Sequence, residues 1–93
     1  MSLFNTPAPR PPMPLDEPLT PKVLARYQRE YDQAHKRSLR LAARRMELPD
    51  GSSRARITSA NAKWAVAAEH RDRLGERLDR ARAALAAPEV PRG

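Results

Sequence analysis

The sequence contains no cysteine, only three glycines and four aromatic residues, and no long apolar run. Each absence removes a class of protein. Without thiols there is no disulfide scaffold, no thiolate metal site and no redox clue to compartment. Gly51, Gly75 and Gly93 stand far apart, so no glycine-rich loop can cradle a phosphate. No stretch approaches the ~20 apolar residues of a transmembrane helix, and the opening MSLFNTPAPRPP has neither the basic nor the apolar region of a secretory signal. The expectation is a cytoplasmic protein, or one carried inside a virion if phage-encoded, with no membrane role.

Length sets a second bound. With 93 residues, of which flanking segments take a share, roughly 70 are left to fold, and a core of that size is marginal without a partner. What the chain has instead is alanine, arginine and ten prolines, with fifteen arginines against three lysines. All three favoured residues have GC-rich codons, which points to a high-GC bacterium or one of its phages as the source.

The prolines come first. Six of them between Pro7 and Pro18 exclude a helix or a sheet interior from residues 1–19, because each lacks an N–H and restricts its predecessor. The expectation is an extended arm that would reach ~60 Å as polyproline II, with Leu3 and Phe4 as an apolar hook near its tip. Overlapping PxxP spacings occur (Pro9 to Pro12, Pro11 to Pro14), but any proline-rich run produces them, and a spacer or clamp is the simpler reading.

Thr20-Pro21 has the form of a helix start, an N-cap hydroxyl followed by proline at the first helical position. Good helix formers then run through 20–48. Pro49-Asp50-Gly51-Ser52-Ser53 reads as a turn. A second helix occupies 54–87, stopped by Pro88, and 88–93 is a short tail. Both helices carry apolar residues spaced by alternating threes and fours, such as Leu24, Tyr27, Tyr31, Ala34 in one and Trp64, Ala67, Leu74, Leu78 in the other. Folding at the turn pairs Leu48 with Ile57, Leu41 with Trp64, Tyr31 with Leu74 and Tyr27 with Leu78. The predicted fold is therefore all-α: a two-helix antiparallel coiled-coil hairpin with an extended Pro-rich N-terminal arm and a short C-terminal tail.

Two polar residues interrupt the seam. Arg45 falls opposite Ala60 and Arg71 opposite Ala34, where a long stem can lie over a small side chain with its head in water. Beside the seam, Glu30 and Arg77 form an attractive pair, whereas Arg44 and Lys63 repel.

Three surface features bear on function. The half nearest the turn carries Lys36, Arg37, Arg40, Arg44, Arg45, Arg54, Arg56 and Lys63 against only Glu47 and Asp50. Such a basic tip can contact a DNA or RNA backbone, an acidic protein surface, or only solvent. Base stacking is not expected, since Trp64, Tyr27 and Tyr31 all lie on the seam. Secondly, Leu39, Ala42, Ala43, Met46, Ala65 and Ala68 fall beside or outside the seam, and the mid-helix Gly75 would let a third helix approach. Together with Leu3 and Phe4 these make a candidate partner-binding flank, either for self-association or for docking on a larger assembly. Alanine as a mere helix former is the plain alternative. Thirdly, chemistry is missing. His35 and His70 fall on opposite flanks, and the acids Glu69, Asp72, Glu76 and Asp79 alternate with arginines as on a salt-bridged surface. No catalytic residue, cofactor site, metal site or small-molecule substrate is expected.

The sequence thus points to a non-enzymatic structural or adaptor protein that docks on a larger protein assembly, such as a phage particle or another bacterial complex, through its arm and alanine-rich flank. A sequence-independent nucleic-acid-binding protein using the basic tip is the first alternative. A small regulator of one protein partner is the second.

Overall fold

The computed structural model describes residues 10–87, which form two helices, α1 (Pro21–Met46) and α2 (Arg54–Ala86), with no strand among the described residues. The two lie against each other as an antiparallel hairpin. At ~1.5 Å per residue they run for about 39 and 50 Å.

Local chemistry sets the ends. The Thr20 hydroxyl accepts a hydrogen bond from the Val23 amide at 3.2 Å, and Pro21 opens α1 where no N–H is needed. At the other end Arg44 and Arg45 occupy the last turn, where cations suit the helix dipole. α1 stops two residues before the expected Leu48, because Pro49 disfavours helical backbone in its predecessor. The turn closes through Ser52, whose amide and hydroxyl both donate to the Pro49 carbonyl, at 3.2 and 2.6 Å. Gly51 takes φ +85°, a left-handed conformation that a side chain would strain. Ser53 then caps α2 by accepting from the Arg56 amide at 3.2 Å. Ala87, which precedes Pro88, is already extended.

Burial runs from one end of the hairpin, here called the base, where α1 begins and α2 ends, to its middle. The buried residues are Tyr27, Ala34 and Ser38 on α1 and Ala67, Ala68, Leu74, Leu78 and Ala81 on α2. Tyr27 meets Leu78 as the heptad predicts, and these two with Ala81 form the core cluster. The seam does not close along its whole length. Ile57 near the turn, expected in the seam, and Leu85 at the far end are both exposed. The half nearer the turn, residues 33–66, is here called the tip half, and within it no residue of α1 beyond Ser38 is buried.

The interruptions differ in detail from the simple picture. Arg45 places its guanidinium 4.5 Å from the centre of the Trp64 ring rather than over Ala60. The Arg71 head is held rather than free, donating to the Ser38 hydroxyl at 3.2 Å and to Asp72 at 3.0 Å. Ser38 in turn donates to the His35 carbonyl, so a buried hydroxyl is satisfied on both sides. The Glu30–Arg77 pair forms as expected.

Candidate functional site

The extended segment before α1 folds back onto the hairpin. Leu15 and Leu19 pack against the Tyr27–Leu78–Ala81 cluster. The Asp16 amide donates to the Tyr27 hydroxyl at 2.6 Å, and Asp16 also pairs with Arg26. Further out, Arg80 donates to the Met13 carbonyl, Arg73 to the Pro11 carbonyl at 3.1 Å, and Arg10 pairs with Glu69 at 2.5 Å. Residues 10–19 are therefore an intramolecular strap along α2, not a free arm. The physical reason is the proline-rich backbone: its carbonyls have no helix or sheet partners, which leaves them as acceptors for a row of arginines. Leu3 and Phe4, proposed as a hook, lie outside the described residues.

The strap covers only the base half of one face of the hairpin. Met13 sits in a cleft with Glu30, Arg37, His70 and Arg77. Among the described residues none covers the rest of this face toward the turn. Its first part is lined by Ala34, Arg37, Lys63, Val66, Ala67 and His70. Its second part is lined by Leu41, Arg44, Leu48, Arg56, Ala60 and Lys63. Residues 34, 37, 41 and 44 on α1, with 48 just beyond its end, and 56, 59, 63, 66 and 70 on α2, follow alternating steps of three and four, so each helical set is one continuous stripe. Arg44 and Lys63, expected to repel, share this groove with Arg56.

Ion pairing divides the molecule in the same way. Every ion pair among the described residues involves Arg10, Arg26, Arg71 or Arg77, with acids Asp16, Glu30, Glu69 and Asp72. None of the eight basic residues predicted at the tip (Lys36, Arg37, Arg40, Arg44, Arg45, Arg54, Arg56, Lys63) takes part in one. Arg37, Arg40 and Arg44 line up around Leu41 on a single stripe of α1.

The predicted apolar flank divides. Leu39 is 55% exposed and Met46 87%, Ala65 is exposed and Ala42 half-buried. Ala68, expected beside or outside the seam as part of the exposed flank, is instead buried, since a methyl group close to the seam is small enough to be covered there. Gly75 is also corrected. A Cβ there would lie 3.2 Å from the Tyr31 ring, so the missing side chain admits Tyr31 rather than an additional helix.

Sequence reasoning missed Val66, Arg73 and Arg80. Val66 is a large aliphatic residue, 68% exposed, one step outside the heptad, and a search for apolar residues on both flanks would have found it. Arg73 and Arg80 are among the arginines that alternate with the acids of α2, a pattern that hides their contacts with the strap. Among the described residues no three His, Asp or Glu side chains come together to hold a metal, and no helix is long and apolar enough to cross a membrane. Comparison of the chain with protein-family models, with curated proteins and with solved structures finds no match.

Proposed function

We propose that this chain is a non-enzymatic adaptor that docks on a larger protein assembly with the tip half of its hairpin, while the strapped base half holds the two helices together. The observation that carries this reading is the coincidence of unpaired cations with exposed aliphatic side chains: Leu39, Met46, Ile57 and Val66 are exposed in the same half that holds the eight unpaired basic residues. A cationic surface kept only for solubility has no need of exposed aliphatics, which favour association. Protein interfaces combine an apolar centre with a charged rim. The strap and the burial of Ala68 move the expected docking surface from the arm and flank to the tip.

A photo-reactive residue at Met46 tests this in cells of the source organism. The expected result is crosslinking to one discrete protein species, lost when Arg37, Arg44, Arg56 and Lys63 are changed to glutamate, with no crosslinking from Leu85 at the base. Crosslinking to nucleic acid alone, or equally from both ends, overturns it. The same unpaired cations also support phosphate contact as a second reading, for which binding to duplex DNA would fall steeply with rising salt.

A further inference from the structure

Resting on the reading that the tip half is the docking end, we infer that the bare half of the strapped face receives an acidic amphipathic helix, which lies between α1 and α2 as a third helix. The argument starts from a row of cations on α2. At the base half, Arg73 and Arg80 are satisfied by strap carbonyls and Arg77 by Glu30. Toward the turn the row continues with Lys63 and Arg56, whose side chains have no acceptor among the described residues. The groove there has an apolar floor of Ala34, Leu41, Ala60 and Ala67, with Arg37 and Arg44 along its opposite rim, and no acidic residue lines it. Among the described residues one face is thus half covered and half uncovered, and the uncovered half has neither an apolar lid nor anionic partners.

Length and charge identify the occupant. From Arg37 to Leu48 the groove runs about 16 Å, or three helical turns, at 1.5 Å per residue. A helix of that length with leucines at heptad spacing and glutamates on either side would place apolar knobs on the floor and carboxylates within reach of both rims. A second copy of this chain brings the same excess of positive charge, at +7 overall, and is disfavoured. Nucleic acid would satisfy the rims but gains nothing from the apolar floor, and Trp64 is engaged with Arg45 rather than free to stack.

The test uses the full chain and a fluorescent helical peptide of about 14 residues, with leucines at heptad positions flanked by glutamates. A scrambled peptide of the same composition and a duplex DNA are measured beside it by anisotropy at ~0.15 M salt, where only short-range charge contacts persist. The helical peptide is expected to bind at least about tenfold more tightly than the scramble, and R44E/K63E and V66D are each expected to weaken it about tenfold. Circular dichroism confirms that the variants remain helical. Equal binding of both peptides, tighter binding of DNA, a dimer of the chain that K63E dissociates, or a peptide affinity raised about tenfold by removing residues 1–9 would each overturn the assignment. If these peptides fail while the Met46 crosslink persists, the adaptor reading stands and only the helical partner falls.

Discussion

Tyr27 is the side chain on which three parts of the chain converge. It is fully buried, its ring packs with Leu78 and Ala81, the Arg77 guanidinium lies 3.9 Å from its centre, and its hydroxyl accepts the Asp16 amide. The hydroxyl and the ring have separable tasks. Tyr27→Phe keeps the packing and leaves a strap amide without its partner, which costs about 1 kcal/mol. Urea unfolding reads that cost, and hydrogen exchange at the Asp16 amide should quicken; an unchanged rate would mean that the strap is held elsewhere. Gly75 offers a test of opposite sign. Helix propensity alone would let a larger residue stabilise α2 by about 1 kcal/mol, because glycine is the poorest non-proline helix former. Contact with Tyr31 reverses this, so Gly75→Leu should destabilise the hairpin by about 1–3 kcal/mol through overpacking. A stabilised variant in thermal melting would place Gly75 outside the seam.

Among the elements, the strap carries the largest consequence for stability. Leu15 and Leu19 are half-buried against the core, and each contributes part of the roughly 1.5–3 kcal/mol that full burial of a leucine provides. Removing residues 1–19 should therefore cost about 2–3 kcal/mol, a large fraction of what a core this small can supply. The measurement is the melting temperature and helicity of the truncated chain by circular dichroism. Retained stability would mean that the helices suffice alone. The helices themselves were legible in the sequence, because their signals are local: the Thr20-Pro21 start, the Pro49–Ser53 turn, the stop before Pro88 and the heptad that brings Tyr27 to Leu78. The Glu30–Arg77 pair was legible too, since antiparallel register fixes it. The path of the strap was not. Proline dictates that a segment is extended but says nothing about where it goes, and the row of arginines that receives it was already accounted for by neighbouring acids. Ala68 and Gly75 were misplaced for a related reason: a helical wheel gives direction, not the bulk of the neighbours that cover or need a position.

At the scale of the whole molecule, charge is unevenly balanced along the rod. Among the described residues the base half forms the ion pairs, and the tip half holds an excess of cations that repel one another, with Arg37, Arg40 and Arg44 three and four residues apart on one stripe. Exposed ion pairs are worth little, so screening should relieve the tip more than it harms the base. Raising the salt from about 0.05 to 0.5 M shortens the Debye length to roughly 4 Å, and the melting temperature is expected to rise. A fall would show that the base ion pairs dominate. The direction of the strap has a practical side as well. The described strap begins at Arg10 against Glu69, next to Val66, so the chain preceding Arg10 joins it at the mouth of the open groove. The other end leaves α2 at Ala87, about 27 Å further along the helix from Glu69. A bulky label attached at Arg10 would compete with a partner for the same space, and one attached at Ala87 would leave that space clear.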